Sequence, residues 1–280
     1  MTAGLTGTRR VRPCPVRALR AVRHEAVDEV VGDSDSDSDS LRRMRMVARE
    51  VLLLAGLLLV YQASRLLGGR DVREAFENSA LLLDLERTLG LPSEQAVQSL
   101  LLAAEPLVPA ANAYYATAHL PVTAGALLWL LLARPRSYPR TRRALLGATG
   151  VALAIYLLLP VAPPRMLPGF VATAAAYGQS VYGTTGASAL ANQYAALPSL
   201  HVGWAVLVAG ACIAAGHTRW RWLWLAHPLL TIAVVVATGN HFWLDAVLGA
   251  LLVGGAWQVA GRPVAVIPAR VSPAQASPAA

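Results

Sequence analysis

Two histidines, an aspartate and an arginine are the groups in this chain whose types and spacing suit chemistry. His201 closes the stretch Leu197-Pro198-Ser199-Leu200-His201, and His241 follows forty residues later in Asn240-His241-Phe242-Trp243-Leu244-Asp245. Each lies at the boundary of a long apolar run, where a lone buried imidazole is costly. His241 and Asp245 are spaced i and i+4, so they share one helix face. A carboxylate there holds one imidazole nitrogen protonated and leaves the other free as a nucleophile. Arg165, in Ala162-Pro163-Pro164-Arg165-Met166-Leu167-Pro168, is the only charge between residues 160 and 198. Together these groups suit the handling of phosphate.

Plainer roles compete for each residue. Taken singly, His201 and His241 are interfacial histidines satisfied by water or backbone, and Arg165 is an interfacial anchor. Ser199 reads equally as the N-cap of a helix or as a substrate contact, and Asn240 reads first as a cap and second as a phosphate ligand. Asn112, Tyr115 and His119 are candidates for a head-group pocket, with structural hydrogen bonding the stronger reading. Tyr182 and Asn192 are weaker candidates. Trp220, Trp222, Trp224 and Trp243 read as interfacial belts. Glu77, Asp84 and Glu86 read as a solvated face, with Asp84 or Glu86 able to bind a polar acceptor.

The positioning elements follow from composition. The 280 residues are 55% hydrophobic and 14% charged, with mean hydropathy +0.47. That is too apolar for an ordinary soluble domain. Apolar runs of spanning length recur from residue 51 to 261, so the chain reads as one integral membrane domain. The net charge of +8 comes from arginine alone, because lysine is absent. Those arginines cluster beside apolar runs rather than along one polar face, which argues against nucleic acid and for topology signals. Cys14 and Cys212 form neither a disulfide framework nor a metal site. No Asp, Glu or His cluster has metal spacing, so no cofactor is expected.

In order, residues 1–45 read as a disordered cytoplasmic arm, carrying four Asp-Ser pairs from Asp33 to Ser40. Residues 46–262 read as a six-span all-α bundle, and residues 263–280 as a disordered tail. The spans are expected at about 51–67, 112–133, 144–159, 200–215, 222–237 and 241–259. Residues 70–111, with Leu81, Leu82, Leu85 and Leu89 at helical spacing, read as an amphipathic segment at the interface or packed on the bundle. Pro106 and Pro109 are expected to break it. Six spans place the clusters at 42–49, 134–143 and 219–221 on the cytoplasmic side. By the same parity, His201, His241 and the loop bearing Arg165 meet at the outer face.

The pattern Pro198-Ser199-x-His201 with His241-x-x-x-Asp245 resembles the second and third signatures of the type 2 phosphatidic acid phosphatase (PAP2) superfamily. Val161-Ala162-Pro163-Pro164-Arg165 and residues 195–203 look most like its inositol phosphorylceramide synthase-related branch. The resemblance covers roughly residues 45–262. It implies a six-helix membrane bundle in which His241 attacks phosphorus and His201 protonates the leaving oxygen. It further implies that Asp245 orients His241, while Arg165 and the Ser199 region bind phosphoryl oxygens. The superfamily's phosphatases carry a lysine where Leu158 stands, Ser-Arg where Val234 and Val235 stand, and proline where Met166 stands. These departures point to the branch with lipid phosphotransfer activity.

The expectation is therefore a plasma-membrane enzyme acting on a phospholipid or polyprenyl phosphate at the outer face. Water as acceptor makes it a phosphatase; inositol or another alcohol makes it a phosphotransferase. The competing class is a non-enzymatic transporter or lipid-binding protein. That class expects ionisable groups near the bilayer midplane, whereas here they gather at span boundaries.

Overall fold

A computed structural model describes residues 72–179 and 193–262, with part of the stretch 44–59. The predicted arm up to residue 43, the tail from residue 263, Tyr182 and Asn192 lie outside the described residues, as does most of the first predicted span. Residues 51, 52, 55, 56 and 59 of that span are helical. The chain divides into two units, Met1–Leu59 and Val60–Ala280, and everything below concerns the second.

Among the described residues of this unit, eight helices of ten residues or more carry the architecture: α1 Val72–Thr88, α2 Glu94–Ala103, α3 Val108–Thr117, α4 His119–Ala133, α5 Tyr138–Leu158, α6 Leu200–Ala215, α7 Ala226–Ala237 and α8 Trp243–Ala260. A 3-10 helix, Arg219–Leu225, leads into α7. Among the described residues there is no strand, only an isolated parallel bridge between Val161 and Ala195. Tyr138–Leu158, Arg219–Ala237 and Trp243–Ala260 are long and apolar enough to cross a membrane. A fourth crossing is gained if Glu105–Thr117 and His119–Ala133, bent by 48°, count as one. The protein is therefore an all-α membrane protein, with three or four such spans among the described residues. The described helices do not reach the expected six.

Two of the differences have local causes. The segment does break at Pro106, where the helix ends at Ala103 and a 3-10 turn, Glu105–Leu107, follows; Pro109 sits in the first turn of α3, where a missing N–H costs nothing. A second break, not expected from the sequence, falls at Ala118–His119. Pro121 explains it, because its ring removes the bond to the Thr117 carbonyl and crowds it. Leu200–Ala215 is apolar but only 16 residues long, or about 24 Å at 1.5 Å per residue.

α6 is central, packed against α4, α5, α7 and α8. Its junction with α8 is glycine against glycine. A Cβ on Gly203 would lie 3.0 Å from the Gly249 carbonyl oxygen, and one on Gly249 would run into the Ser199 carbonyl. Only residues without a side chain let the two backbones come this close. Ala144, Leu145, Ala148, Leu207 and Val253 fill the adjoining core.

The ends of the bundle differ in chemistry. At one end Arg134 Nε donates to the Ala215 carbonyl, Arg221 to the Gly216 carbonyl and Arg140 Nε to the Trp257 carbonyl. The Arg140 guanidinium also lies 4.4 Å from the Trp257 ring centroid. These cations meet the carbonyl-rich ends of α6 and α8, where the helix dipole favours them. Both histidines lie at the other end.

α1 faces opposite to its leucine pattern. Leu81, Leu85 and Leu89 point away from the protein, with 70%, 48% and 58% of their surface exposed, while Ala75, Ser79 and Glu86 are buried. Glu77 and Asp84 are exposed as expected of a solvated face, but Glu86 is not part of it. The polar side of α1 docks: Ser79 Oγ donates to the Ala162 carbonyl and Asn78 to the Pro160 carbonyl. The outward leucines give α1 the form of a helix lying at a membrane interface.

Candidate active site

Three short connections converge where α6 and α8 begin. The first is the 3-10 turn Pro164–Met166 carrying Arg165. The second is Ala196–Ser199, entering α6. The third is Thr238–Phe242, between α7 and α8. Val161, Ala196 and Phe242 form a fully buried floor beneath them, backed by Leu82, Leu83, Leu167 and Leu197.

Ser199 is the N-cap of α6, its Oγ accepting the Val202 N–H at 3.3 Å, and its own N–H donates to the Asp245 carbonyl. Of its two readings, the structure displays the cap. Tyr156 donates its hydroxyl proton to the Pro198 carbonyl at 2.6 Å, which holds the approach to that cap.

Asn240 does not cap α8; Phe242 stands at that position, and the Asp245 carboxylate accepts the Phe242 N–H at 2.9 Å. The cause is the turn before it. Gly239 adopts φ +69°, which throws Asn240 back towards α7 and Arg165. Arg165 donates to Asn240 Oδ1 at 2.6 Å, while Asn240 Nδ2 donates to Thr238 Oγ1. The Arg165 N–H also donates to the Gly239 carbonyl at 2.7 Å. The guanidinium is thereby tied to Asn240, the residue next to His241 in the chain.

His241 is 4% exposed and Asp245 fully buried. His241 Nδ1 lies 2.9 Å from the Ala196 carbonyl oxygen and 3.3 Å from Asp245 Oδ2. Both neighbours are acceptors, so Nδ1 carries the proton and a neutral ring leaves Nε2 bare. The His201 ring centroid lies 5.6 Å from that of His241. Tyr115 stacks on His201 at 4.5 Å, and His119 stands on it at 4.2 Å, tilted by 56°. α3 and α4 thus hold the His201 ring between an aromatic and a third imidazole.

All six residues singled out for the site are gathered here: His201, His241, Asp245, Arg165, Ser199 and Asn240. Of the head-group candidates, Tyr115 and His119 reach the site. Asn112 is buried in hydrogen bonds with Thr173 and Gln179, two connections away. Sequence reasoning missed Gln98, whose amide both donates to and accepts from Val171 and whose Nε2 would lie 2.9 Å from a Cβ on Gly239. It also missed Glu94, which is buried. Neither has a motif to betray it. Among the described residues, no group of three or more His, Cys, Asp or Glu side chains is placed to hold a metal ion.

No curated protein and no solved structure matches the chain. Residues 80–259, which include every residue of this site, match the family described as the PAP2 superfamily. That match takes in well over half of the chain, and its members are generally phosphoric ester hydrolases. The chain belongs to the PAP2 superfamily.

Proposed function

We propose that this protein is a lipid-phosphate phosphatase or phosphotransferase that works through a phosphohistidine on His241. The observation that carries the reading is the pair of acceptors on His241 Nδ1, which leaves Nε2 as the nitrogen with a free lone pair. In the first step that lone pair forms the N–P bond while the P–O bond to the lipid alcohol breaks. His201 gives its proton to the departing oxygen. In the second step water or an alcohol attacks phosphorus and passes its proton to His201. The N–P bond breaks and Nε2 is restored. Arg165, steadied by Asn240, holds the phosphoryl oxygens, and Ser199 sets the start of the helix bearing His201.

The same reading extends to the setting. Six spans, an active site at the outer face of the plasma membrane and an alcohol acceptor of the inositol type follow from the arginine clusters and from the likeness to the inositol phosphorylceramide synthase-related branch. The gathering of ionisable groups at one end of the bundle favours an enzyme over a transporter. The test is a panel of lipid phosphates assayed for phosphate release and for head-group exchange, with rapid quench in alkaline detergent to trap phosphoprotein. Wild type should accumulate phosphate whose bond is acid-labile, and His241→Ala none. Trapping on His241→Ala at the wild-type level overturns the assignment.

A further inference from the structure

Glu86 and Glu94 lie at the junction of α1 and α2, yet only 2% and 3% of their surfaces are exposed. With Ser93, Gln95, Phe170 and the exposed Arg87 they border a cavity of about 80 Å³. Glu86 Oε1 accepts the N–H of Leu244, in the first turn of α8, at 2.7 Å. Glu86 Oε2 and Glu94 Oε1 are buried and no donor reaches either, although the two side chains adjoin. Two ionised carboxylates do not persist side by side in such a place, because each loses hydration and repels the other.

Positive charge is therefore required between them, as a cation or as a proton. A cation is disfavoured on three counts. The Glu86 carboxylate meets the first turn of α8, the positive end of that helix. Arg87 stands at the cavity rim, and among the described residues no group of three or more His, Cys, Asp or Glu side chains is placed to hold a metal ion. A proton shared by Glu86 Oε2 and Glu94 Oε1 supplies the donor that both oxygens lack.

We propose that Glu86 and Glu94, joined by one proton, are positioning residues that fix the first turn of α8 and through it Asp245 and His241. The inference rests on the reading of His241 as nucleophile. The lever is short, since Leu244 adjoins Asp245. The same turn is tied a second time to the α1–α2 junction, by Trp243 Nε1 donating to the Pro92 carbonyl at 2.7 Å. The charged groups facing Glu86 are Glu94 from α2, Asp245 from α8 and Arg87 at the cavity rim. Burial first, then the bond to Glu94, pushes the Glu86 carboxyl up from 4.5 to about 9, against the pull of the Leu244 N–H. The folded protein thus keeps a proton that the unfolded chain gives up. Its stability falls as the pH climbs from 4.5 towards about 9, and the loss is complete above that. There the proton leaves to hydroxide, and two carboxylates repel beside Asp245.

The test uses the full chain in detergent micelles, measured from about pH 5 to about pH 10 to bracket that window. Unfolding is followed by tryptophan fluorescence, and turnover with phosphatidic acid in mixed micelles. Wild type should lose unfolding temperature and kcat together on the alkaline side. Glu86→Gln should show a flatter stability profile and keep the neutral-pH rate within about threefold. Its amide oxygen accepts from Leu244 and its NH2 donates to Glu94. Glu86→Ala, leaving a buried N–H without acceptor, should lose about tenfold or more in kcat with KM little changed. An alkaline slope in Glu86→Gln equal to that of wild type overturns the proposal, as does wild-type kcat in Glu86→Ala. A chelator that destabilises wild type but not Glu86→Gln also overturns it, in favour of a bound cation. If wild type shows no turnover of any lipid phosphate, the assignment of His241 fails. The stability profiles then still decide whether the pair holds a proton.

Discussion

The carbonyl of Ser199 occupies the place where a side chain on Gly249 would begin. The residue that starts the helix of His201 therefore touches the helix of Asp245 through main chain alone. Gly249→Ala should force α6 and α8 apart, at a cost of about 1–3 kcal/mol or more. The expected outcome is a lower unfolding temperature and a loss of kcat, since His201 lies on one of the separated helices and His241 just ahead of the other. Gly254→Ala, on the same helix with open space around it, is the control and should match wild type in both measurements.

Asp245 and the Ala196 carbonyl both face His241 Nδ1. Asp245→Asn should fold and lose about a hundredfold or more in kcat, because an amide NH2 turned towards the ring favours the wrong tautomer. Single-turnover quench then shows slow phosphoenzyme formation with KM little changed. A rate within threefold of wild type would exclude Asp245 from the orienting role.

The two histidines should divide their labour visibly. His201→Ala should still form some phosphoenzyme from an activated phosphoester, whose leaving group departs without a proton, and His241→Ala should form none. The opposite result assigns the nucleophile to His201.

Arg165 leans on Asn240 at 2.6 Å. Asn240→Ala should leave the guanidinium less well placed and raise KM about fivefold, the worth of roughly 1 kcal/mol for one such bond, with kcat changed less. Asn240→Asp should rescue part of that loss by offering an acceptor again. Equal KM in all three proteins would show that Arg165 needs no support from this side.

A cysteine placed at the exposed Ala176, in a background without native cysteines, should react with an impermeant maleimide added to intact cells. The arginine clusters at the far end of the bundle motivate that orientation. Labelling only after the cells are opened would reverse the side of the site.

Much of this was legible in the sequence because it depends on local spacing. The His241–Asp245 contact at i and i+4, Ser199 at a helix start and arginines flanking apolar runs are facts of the nearest turns, although His241 stands ahead of the N-cap Phe242 and not on the helix face expected of it. Glu86 was misread for the complementary reason. Its partner is the main chain of residue 244, and no pattern within α1 records what lies across a junction. The orientation of α1 was hidden likewise, since Leu81, Leu85 and Leu89 would form a core stripe in water but face outward beside lipid. Asn240 was read as the cap two residues too early, because the left-handed turn at Gly239 uses up residues that a direct α7–α8 link would leave for capping.

The arginines that close the carbonyl ends of α6 and α8 have an electrical counterpart at the opposite end. Both helices begin at the histidines, so their amide dipoles are aligned in parallel, each positive pole beside the site and each negative pole discharged by a guanidinium. The bundle is polarised along its length, and the polarity resides in peptide groups that no substitution of a side chain removes. An anion approaching the histidines meets this standing potential even where Leu158, Val234 and Val235 contribute no charge of their own.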